Sequence, residues 1–109
     1  MAWLVKEGQV LASLEVMDSF RGRGRGLLGR DGIDGAILLK PARAVHTIGM
    51  RFPIDVAFCD SDMVVVRKVR MGRHRLGRPC LKACQVIEAQ AGAFDRWGLE
   101  VGDQLDVKG

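Results

Sequence analysis

The sequence predicts a mainly β domain, a small sandwich or barrel of about six to eight short strands with one or two short helices. Three observations support this prediction. Apolar runs are short, and turn-forming Gly, Pro or Asp residues separate them. Apolar residues alternate with other residues from Met50 to Phe58, which is typical of a strand. A chain of 109 residues with 48% hydrophobic content can bury one core, and no repeat or linker is visible. Residues 1–109 are therefore expected to form a single domain.

The first half of the chain contains three of the predicted strands and one ambiguous segment. Trp3 to Val5 and Val10 to Val16 are expected to form a hairpin across the turn at Glu7 and Gly8. Asp18 or Ser19 is suited to capping a helix that runs to about Leu28. Glycines in an Arg-Gly repeat weaken that helix, so a mobile basic loop is an equal alternative. Ala36 to Leu39 is a short apolar run that predicts a buried strand.

The second half continues the β pattern. Met63 to Val69 is expected to return antiparallel to Phe58 and Cys59, across a turn at Asp60 to Asp62. Cys84 to Gln90 predicts a further strand, with Val86 and Glu88 on one face and Ile87 and Ala89 on the other. Ala93 to Trp97 predicts one helical turn that ends at Gly98, and Gln104 to Val107 a last short strand.

The segment from His46 to Phe58 combines a strand pattern with polar side chains. Met50, Phe52, Ile54, Val56 and Phe58 are expected to face a core, which leaves Arg51 and Asp55 on the opposite face. Arg51 and Asp55 would lie roughly 13 Å apart along a strand, so each needs a separate partner. Pro53 lacks an N–H group, which predicts an edge or an irregularity at that point.

These residues also carry a family resemblance. The segment from His46 to Phe58, with its Met and its Pro-Ile-Asp-Val step, resembles the central pattern of the domain of unknown function 192 family. Gly26-Leu27-Leu28 is similar to an upstream block, and Val86 to Gly92 followed by Gly98-Leu99 and Gly102-Asp103 to a C-terminal block. The chain departs from the family at Met63, where Gly is usual, so a wider or shifted turn is expected there. The resemblance implies a compact, mainly β domain and supplies no activity.

Charge and composition limit the function classes. The net charge is +4, and no acidic residue lies between Asp62 and Glu88, where seven Lys and Arg residues occur. Such a basic surface can steer an anionic partner. No apolar run reaches the length of a transmembrane helix, and the N-terminus does not resemble a secretory signal. We therefore expect a cytoplasmic protein without membrane contact, and a monomer by default.

Cysteine content and spacing argue against a disulfide framework and a metal centre. Three cysteines are an odd number, which fits reduced thiols in a reducing compartment. Cys80 and Cys84 with His74 would supply three zinc ligands, but no fourth ligand is evident. We expect no metal and no cofactor.

The favoured functional hypothesis is a binding module for a small polar or anionic ligand or a peptide. Its candidate site residues share polar or charged side chains near the central segment: Arg43, His46, Thr47, Arg51, Asp55 and Glu88. One alternative is an enzyme with His46 or Asp55 as acid–base group and Arg51 as anion clamp. In that case, Asp55 and Glu88 could also form a carboxylate pair.

Two further interpretations compete with a binding module. Nucleic-acid binding could use the basic stretches Arg21 to Arg30 and Arg67 to Lys82, although the second has no interleaved aromatic residues, which makes a nucleic-acid partner unlikely. A purely structural role is also open for the carboxylates, Asp55 through backbone N–H groups and Glu88 through an ion pair with Arg51 or Arg43.

Overall fold

The structure of the protein is a computed structural model that describes residues 1–18 and 30–109. These residues form seven strands and one short helix. The elements are β1 Ala2–Lys6, β2 Gln9–Met17, β3 Ala36–Leu39, β4 Ile54–Cys59, β5 Val65–Met71, β6 Gln85–Gln90, α1 Ala93–Trp97 and β7 Asp106–Lys108. The helix or basic loop predicted from Asp18 or Ser19 to Leu28 falls on residues 19–29, outside the described residues.

All seven strands belong to one sheet with the order β5-β4-β6-β3-β2-β1-β7. Only β2 and β3 pair in parallel; the other neighbours in the described sheet are antiparallel. The sheet curls so that its two ends approach each other, and Val64 forms an isolated bridge with Gln104 just before β7. The mainly β prediction is confirmed, with a single curled sheet as its architecture.

Each face of the sheet carries a hydrophobic cluster. The helix face, which α1 covers, packs Ala57 and Cys59 of β4 with Ile87 and Ala89 of β6. The cap face packs the alternate residues of the same strands. It is covered by the cap, which we define as residues 40–52 and 72–84 together. The alternation predicted for β6 is confirmed, because Ile87 and Val86 lie in different clusters.

β4 differs from the strand expected from the sequence. Met50 and Phe52 pack in the same cluster as Ile54, as the alternation predicted, but the strand itself begins only at Ile54, immediately after Pro53. β4 lies between β5 and β6 and is buried along its whole length, so it has no solvent-exposed polar face. Of the two alternatives predicted at Pro53, an edge or an irregularity, the structure shows the irregularity. Pro53 stands just outside the hydrogen-bonded ladder, where its missing N–H is tolerated.

Two turns position the elements of the second half. Met63 has φ of 63°, a value that favours glycine, within the turn between β4 and β5. Asp60 stabilises this turn, because its Oδ1 accepts hydrogen bonds from the N–H groups of Asp62 at 2.9 Å and Val64 at 3.0 Å. The helix α1 begins after Gly92 and ends before Gly98, both with positive φ, as the predicted stop at Gly98 required.

No helix within residues 1–18 and 30–109 has the length and apolar character needed to cross a bilayer.

Candidate functional site

The cap is held together by backbone hydrogen bonds between its two segments. The N–H of Gly77 donates to Val45 at 2.9 Å, and the N–H of Cys80 donates to Arg43 at 2.7 Å. The N–H of Ala42 reaches the carbonyl of Cys84 at 3.0 Å. The inner side chains of the cap complete the cap-face cluster, among them Val45 and Met50. Two irregular segments therefore form one layer over the sheet, and their other side chains face solvent.

Thr47 fastens the two segments of the cap and is itself fully buried. Its Oγ1 donates to the carbonyl of Gly72 at 2.6 Å and accepts the N–H of Arg75 at 2.8 Å. The N–H of Thr47 donates to the Arg75 carbonyl at 2.8 Å, and its own carbonyl accepts the N–H of His74 at 2.9 Å. With both its hydroxyl and its backbone engaged, Thr47 positions its neighbours and has no group left to contact a ligand.

Both histidines of the chain flank the turn that follows Thr47. Nδ1 of His46 accepts the N–H of Ile48 at 3.3 Å, and Nδ1 of His74 accepts the N–H of Gly49 at 3.2 Å. An accepting Nδ1 has no proton, so the neutral ring carries its proton on Nε2. Both side chains are exposed. The turn therefore presents two Nε2–H donors, of which His74 was not among the predicted site residues. No sequence pattern links positions 46 and 74, which only the cap brings together.

The two predicted arginines of the site also lie at the surface of the cap. Arg43 is exposed, and its Nε donates to the carbonyl of Ala83 at 3.0 Å. Arg51 forms an ion pair with Asp31 at 3.0 Å, in which both side chains are mostly exposed. The expectation that Arg51 and Asp55 have separate partners is thus met, because Asp55 pairs with Arg70 instead.

Asp55 lies on the helix face, away from the cap. Its Oδ2 accepts the N–H groups of Gly92 at 2.9 Å and Phe94 at 3.1 Å, and its Oδ1 accepts Nε of Arg70 at 2.9 Å. Its side chain is nearly inaccessible to solvent. The hydrogen bond to Asp55 raises the pKa of Arg70 above its ordinary value. Asp55 therefore joins the start of α1 to the sheet, which matches the structural interpretation of this residue.

Glu88 is buried like Asp55 but has no hydrogen-bond partner among the described residues. It lies on the cap face of β6 between Val56 and Ile37, and only 4% of it is exposed. Within residues 1–18 and 30–109 its carboxyl has no hydrogen bond or ion pair, so the suggested pairs with Arg51 and Arg43 do not form. Burial without a partner raises the pKa of Glu88 from 4.5 to about 7. Because Asp55 faces the other side of the sheet, the two carboxyl groups cannot act as a pair.

The three cysteine thiols do not form a shared metal-binding or disulfide site in the described part of the chain. Burial raises the pKa of Cys59 to about 12, which keeps this thiol protonated and unreactive. Cys80 and Cys84 are free and partly buried. No group of three or more His, Cys, Asp or Glu side chains suited to a metal ion occurs among residues 1–18 and 30–109.

The predicted residues therefore divide into three groups. Arg43, His46 and Arg51 remain accessible on the cap, Thr47 lies within it, and Asp55 and Glu88 are buried on opposite faces of the sheet. The cap carries seven Lys and Arg residues and no Asp or Glu: Lys40, Arg43, Arg51, Arg73, Arg75, Arg78 and Lys82. The fold and this surface define a small β-sheet protein with a basic cap over one face of the sheet.

Sequence comparison identifies the family of the chain. The profile of the DUF192 family, described as uncharacterized ACR, matches residues 2–107. The chain belongs to this family, as the resemblance indicated. No curated protein matches the chain significantly.

Two solved structures share the fold. A protein of unknown function from Novosphingobium aromaticivorans DSM 12444 is 16% identical with a TM-score of 0.77, over 96% of this chain and 82% of that one. A putative transcription regulator from Sinorhizobium meliloti 1021 is 21% identical with a TM-score of 0.72, over 97% of this chain and 91% of that one. At these identities the likeness extends to the fold alone.

Proposed function

We propose that this DUF192 protein is a binding module that holds a small anionic ligand, such as a carboxylate or phosphate compound, on the outer surface of the cap. The observation that carries the proposal is the segregation of charge. The cap has seven Lys and Arg residues without an acidic residue, while the chain as a whole has a net charge of only +4. A surface of one sign raises the local concentration of ligands of the other sign.

The geometry of the turn after Thr47 supports a specific position for the ligand. His46 and His74 each offer an Nε2–H donor, because their Nδ1 atoms are occupied by backbone N–H groups. Arg51 follows the same turn, and a guanidinium group can bind a carboxylate or phosphate in a bidentate manner. Thr47 keeps this turn in place from inside the cap without touching the ligand.

Asp31 indicates how Arg51 would exchange partners. Its carboxylate contacts Nη1 of Arg51 at 3.0 Å, so this guanidinium already binds a carboxylate group. The pair is exposed on both sides, and exposed ion pairs contribute little net stability. A ligand with two or more anionic oxygens can therefore replace Asp31 at small cost and add contacts to the histidines.

The enzyme alternative receives less support. Asp55 has both oxygens engaged by two backbone N–H groups and Arg70, and it lies on the opposite side of the sheet from His46. Of the two groups considered for the acid–base role, only His46 is then left. No other described residue supplies an orienting carboxylate to this histidine, so ligand binding is the function that the geometry favours.

Calorimetric titration at low ionic strength tests the proposal. The probes are inorganic phosphate, pyrophosphate and citrate, and the variants are Arg51→Ala and His46→Ala. Arg96→Ala is the control, because Arg96 is an exposed arginine on α1 at the other face of the sheet. We expect at least one probe to bind the wild type and the control, and to bind the two cap variants about tenfold more weakly. The proposal is abandoned if no probe binds, or if the cap variants bind as the control does.

A further inference from the structure

Arg67 lies half-buried on β5, at the boundary between the sheet and the cap, and has no carboxylate partner in the described part of the chain. Its guanidinium lies 4.3 Å from the centre of the Phe58 ring, and its Nη atoms donate to the carbonyls of Arg78 and Pro79. These contacts hold the group in position but do not neutralise its charge. A guanidinium has further N–H donors beyond the two that these carbonyls engage.

Arg67 differs in this respect from the comparable cations. The other half-buried Lys and Arg side chains of the described chain each form an ion pair with a carboxylate: Lys6 with Asp103, Arg30 with Glu15, and Lys68 with Glu100. Charged groups that leave solvent are normally paired, because desolvation penalises an isolated charge. Arg67 is therefore the cation of this set that an anion from outside the chain would complete.

A mostly apolar cavity of about 280 Å³ opens beside Arg67, between β5 and the cap. Its apolar lining comes from the cap face of the sheet: Phe58, Val69 and Met71. On the side of the cap, Gly77 lies against Met71, since a Cβ at position 77 would be 3.2 Å from Cε of Met71. Small-ligand sites are usually apolar cavities in which a few polar groups set the orientation. This cavity can accept one aliphatic or aromatic group, with Arg67 as its polar group.

The charge of the lining has one sign. Arg78 also lines the cavity, and its exposed side chain has no hydrogen bond or ion pair within the described residues. Among those same residues, no Asp or Glu belongs to the lining. Lys68 does, but its Nζ already contacts the carboxylate of Glu100 and the carbonyl of Leu99, so we assign it no part in binding. Two arginines without carboxylate partners thus adjoin an apolar cavity, which favours an anion that carries an apolar body.

We propose that this cavity binds a small carboxylic acid with an aromatic or aliphatic body. The body packs against Phe58, Val69 and Met71, and the carboxylate accepts hydrogen bonds from the guanidinium of Arg67. Because Arg67 is held in position before binding, little side-chain freedom is lost when the ligand arrives. A carboxylate has a single charge, so its desolvation costs less than that of a phosphate dianion. The site shares no residue with the turn of His46 and does not depend on the anionic ligand proposed there.

Calorimetric titration with phenylpropionate tests the proposal. Phenylpropionamide is the neutral probe of the same shape, and acetate is the carboxylate without an apolar body. Val69→Trp fills the cavity and leaves Arg67 in place; its matched control is Val16→Trp on β2, because Val69 and Val16 are exposed to 38% and 37%. Arg67→Met removes the charge and keeps an unbranched side chain, and Arg51→Ala reports on the turn of His46.

We expect phenylpropionate to bind the wild type, Val16→Trp and Arg51→Ala, and to bind Val69→Trp about tenfold more weakly or less. The amide and acetate should bind the wild type about tenfold more weakly than phenylpropionate does. In Arg67→Met, phenylpropionate should bind no better than the amide, whose own affinity should stay unchanged.

Three results overturn the proposal: no binding of phenylpropionate, equal binding by Val69→Trp and Val16→Trp, or an equal loss of acid and amide affinity in Arg67→Met. The last result would give Arg67 a structural role only. If Arg51→Ala weakens phenylpropionate while Arg67→Met does not, the acid binds at the turn of His46. That outcome also overturns the cavity site, but it leaves the proposal for the cap standing.

Discussion

Asp55 and Glu88 are two buried carboxyl groups on neighbouring strands that face opposite sides of one sheet. Both are almost inaccessible, with 3% and 4% of each residue exposed. Asp55 accepts two backbone N–H groups and an arginine Nε, whereas Glu88 faces Val56 and Ile37 without a partner among the described residues. Burial is therefore the same, and only the supply of hydrogen-bond donors differs.

This difference separates a structural carboxylate from one that the fold does not require. A buried charge is tolerated when donors surround it, and the group otherwise shifts its pKa toward the neutral form. Asp55 gains its donors because α1 starts directly above it on the helix face. On the cap face no described residue donates a hydrogen bond to Glu88, which lies between Val56 and Ile37. Substitutions of the two carboxyl groups and of the cap residues test this contrast.

The largest effect is expected for Asp55→Ala. The substitution leaves the N–H groups of Gly92 and Phe94 without an acceptor, which we expect to cost about 1 to 3 kcal/mol for each group in urea unfolding. Asp95→Ala is the matched control, because Asp95 also binds Arg70 but at an exposed site, where the loss should stay below about 1 kcal/mol. Equal losses in both variants would contradict the structural role of Asp55.

The next largest effect is expected in the pH dependence of folding stability, and it arises from the protonation of Glu88. In the folded state its pKa is about 7 instead of 4.5, so the folded protein binds this proton more tightly than the unfolded chain. The stabilising contribution is complete below pH 4.5 and is lost as the pH rises through about 7. This loss amounts to about 3 kcal/mol for a pKa change of this size.

Glu88→Gln should therefore remove that loss, so that its stability relative to the wild type increases between pH 5 and 8. Urea unfolding at several pH values measures the stability difference between Glu88→Gln and the wild type. Glu100→Gln is the control, because the Glu100 side chain is largely exposed. A constant stability difference between Glu88→Gln and the wild type over this range would show that Glu88 does not titrate there.

A smaller loss is expected for Thr47→Val, which keeps the shape of the side chain but removes its hydroxyl. The carbonyl of Gly72 and the N–H of Arg75 then lose their partner, at a cost of about 1 to 3 kcal/mol. Amide exchange at Arg75 should accelerate as the cap loosens. Ser61→Ala, at an exposed turn position, serves as the comparison, and a similar effect in both would argue against the fastening role of Thr47.

The smallest effect is expected for Arg51→Ala. Its ion pair with Asp31 is exposed, so thermal and urea unfolding should change by less than about 0.5 kcal/mol. The same variant is expected to lose most of its affinity for the anionic probe. A stability loss above about 1 kcal/mol would place Arg51 with Asp55 among the structural residues and weaken the proposal for the cap.

Local sequence patterns predicted the strands and the helix better than they predicted which parts of the chain pack around them. The hairpin of β1 and β2, the apolar strand β3 and the turn of helix at α1 all follow from short-range signals within each segment. The pairing of Cys59 with Val65 also agrees with the hairpin predicted around Asp60. These features depend on turn residues and on alternation, which a single segment contains in full.

The candidate site was predicted less completely, and the reason is physical. The polar face expected for β4 is buried, because α1 covers Asp55, Ala57 and Cys59 from a part of the chain that the segment itself does not reveal. The sequence correctly separated Arg51 from Asp55 by strand spacing, but it could not name Asp31 or Arg70 as their partners. It also missed His74, which joins the turn of His46 only through the cap.

The sequence by itself determined the family, the mainly β class, the alternation of side chains along the strands and the excess of basic residues in the middle of the chain. The tertiary structure alone decided which carboxyl group is paired and which cations lie together on the cap. The backbone donors for Asp55 come from residues 37 and 39 positions away, and the bonds of Thr47 span 25 and 28 positions. Contacts over such separations depend on the packing of the whole sheet, whereas alternation and turn preferences act between adjacent residues.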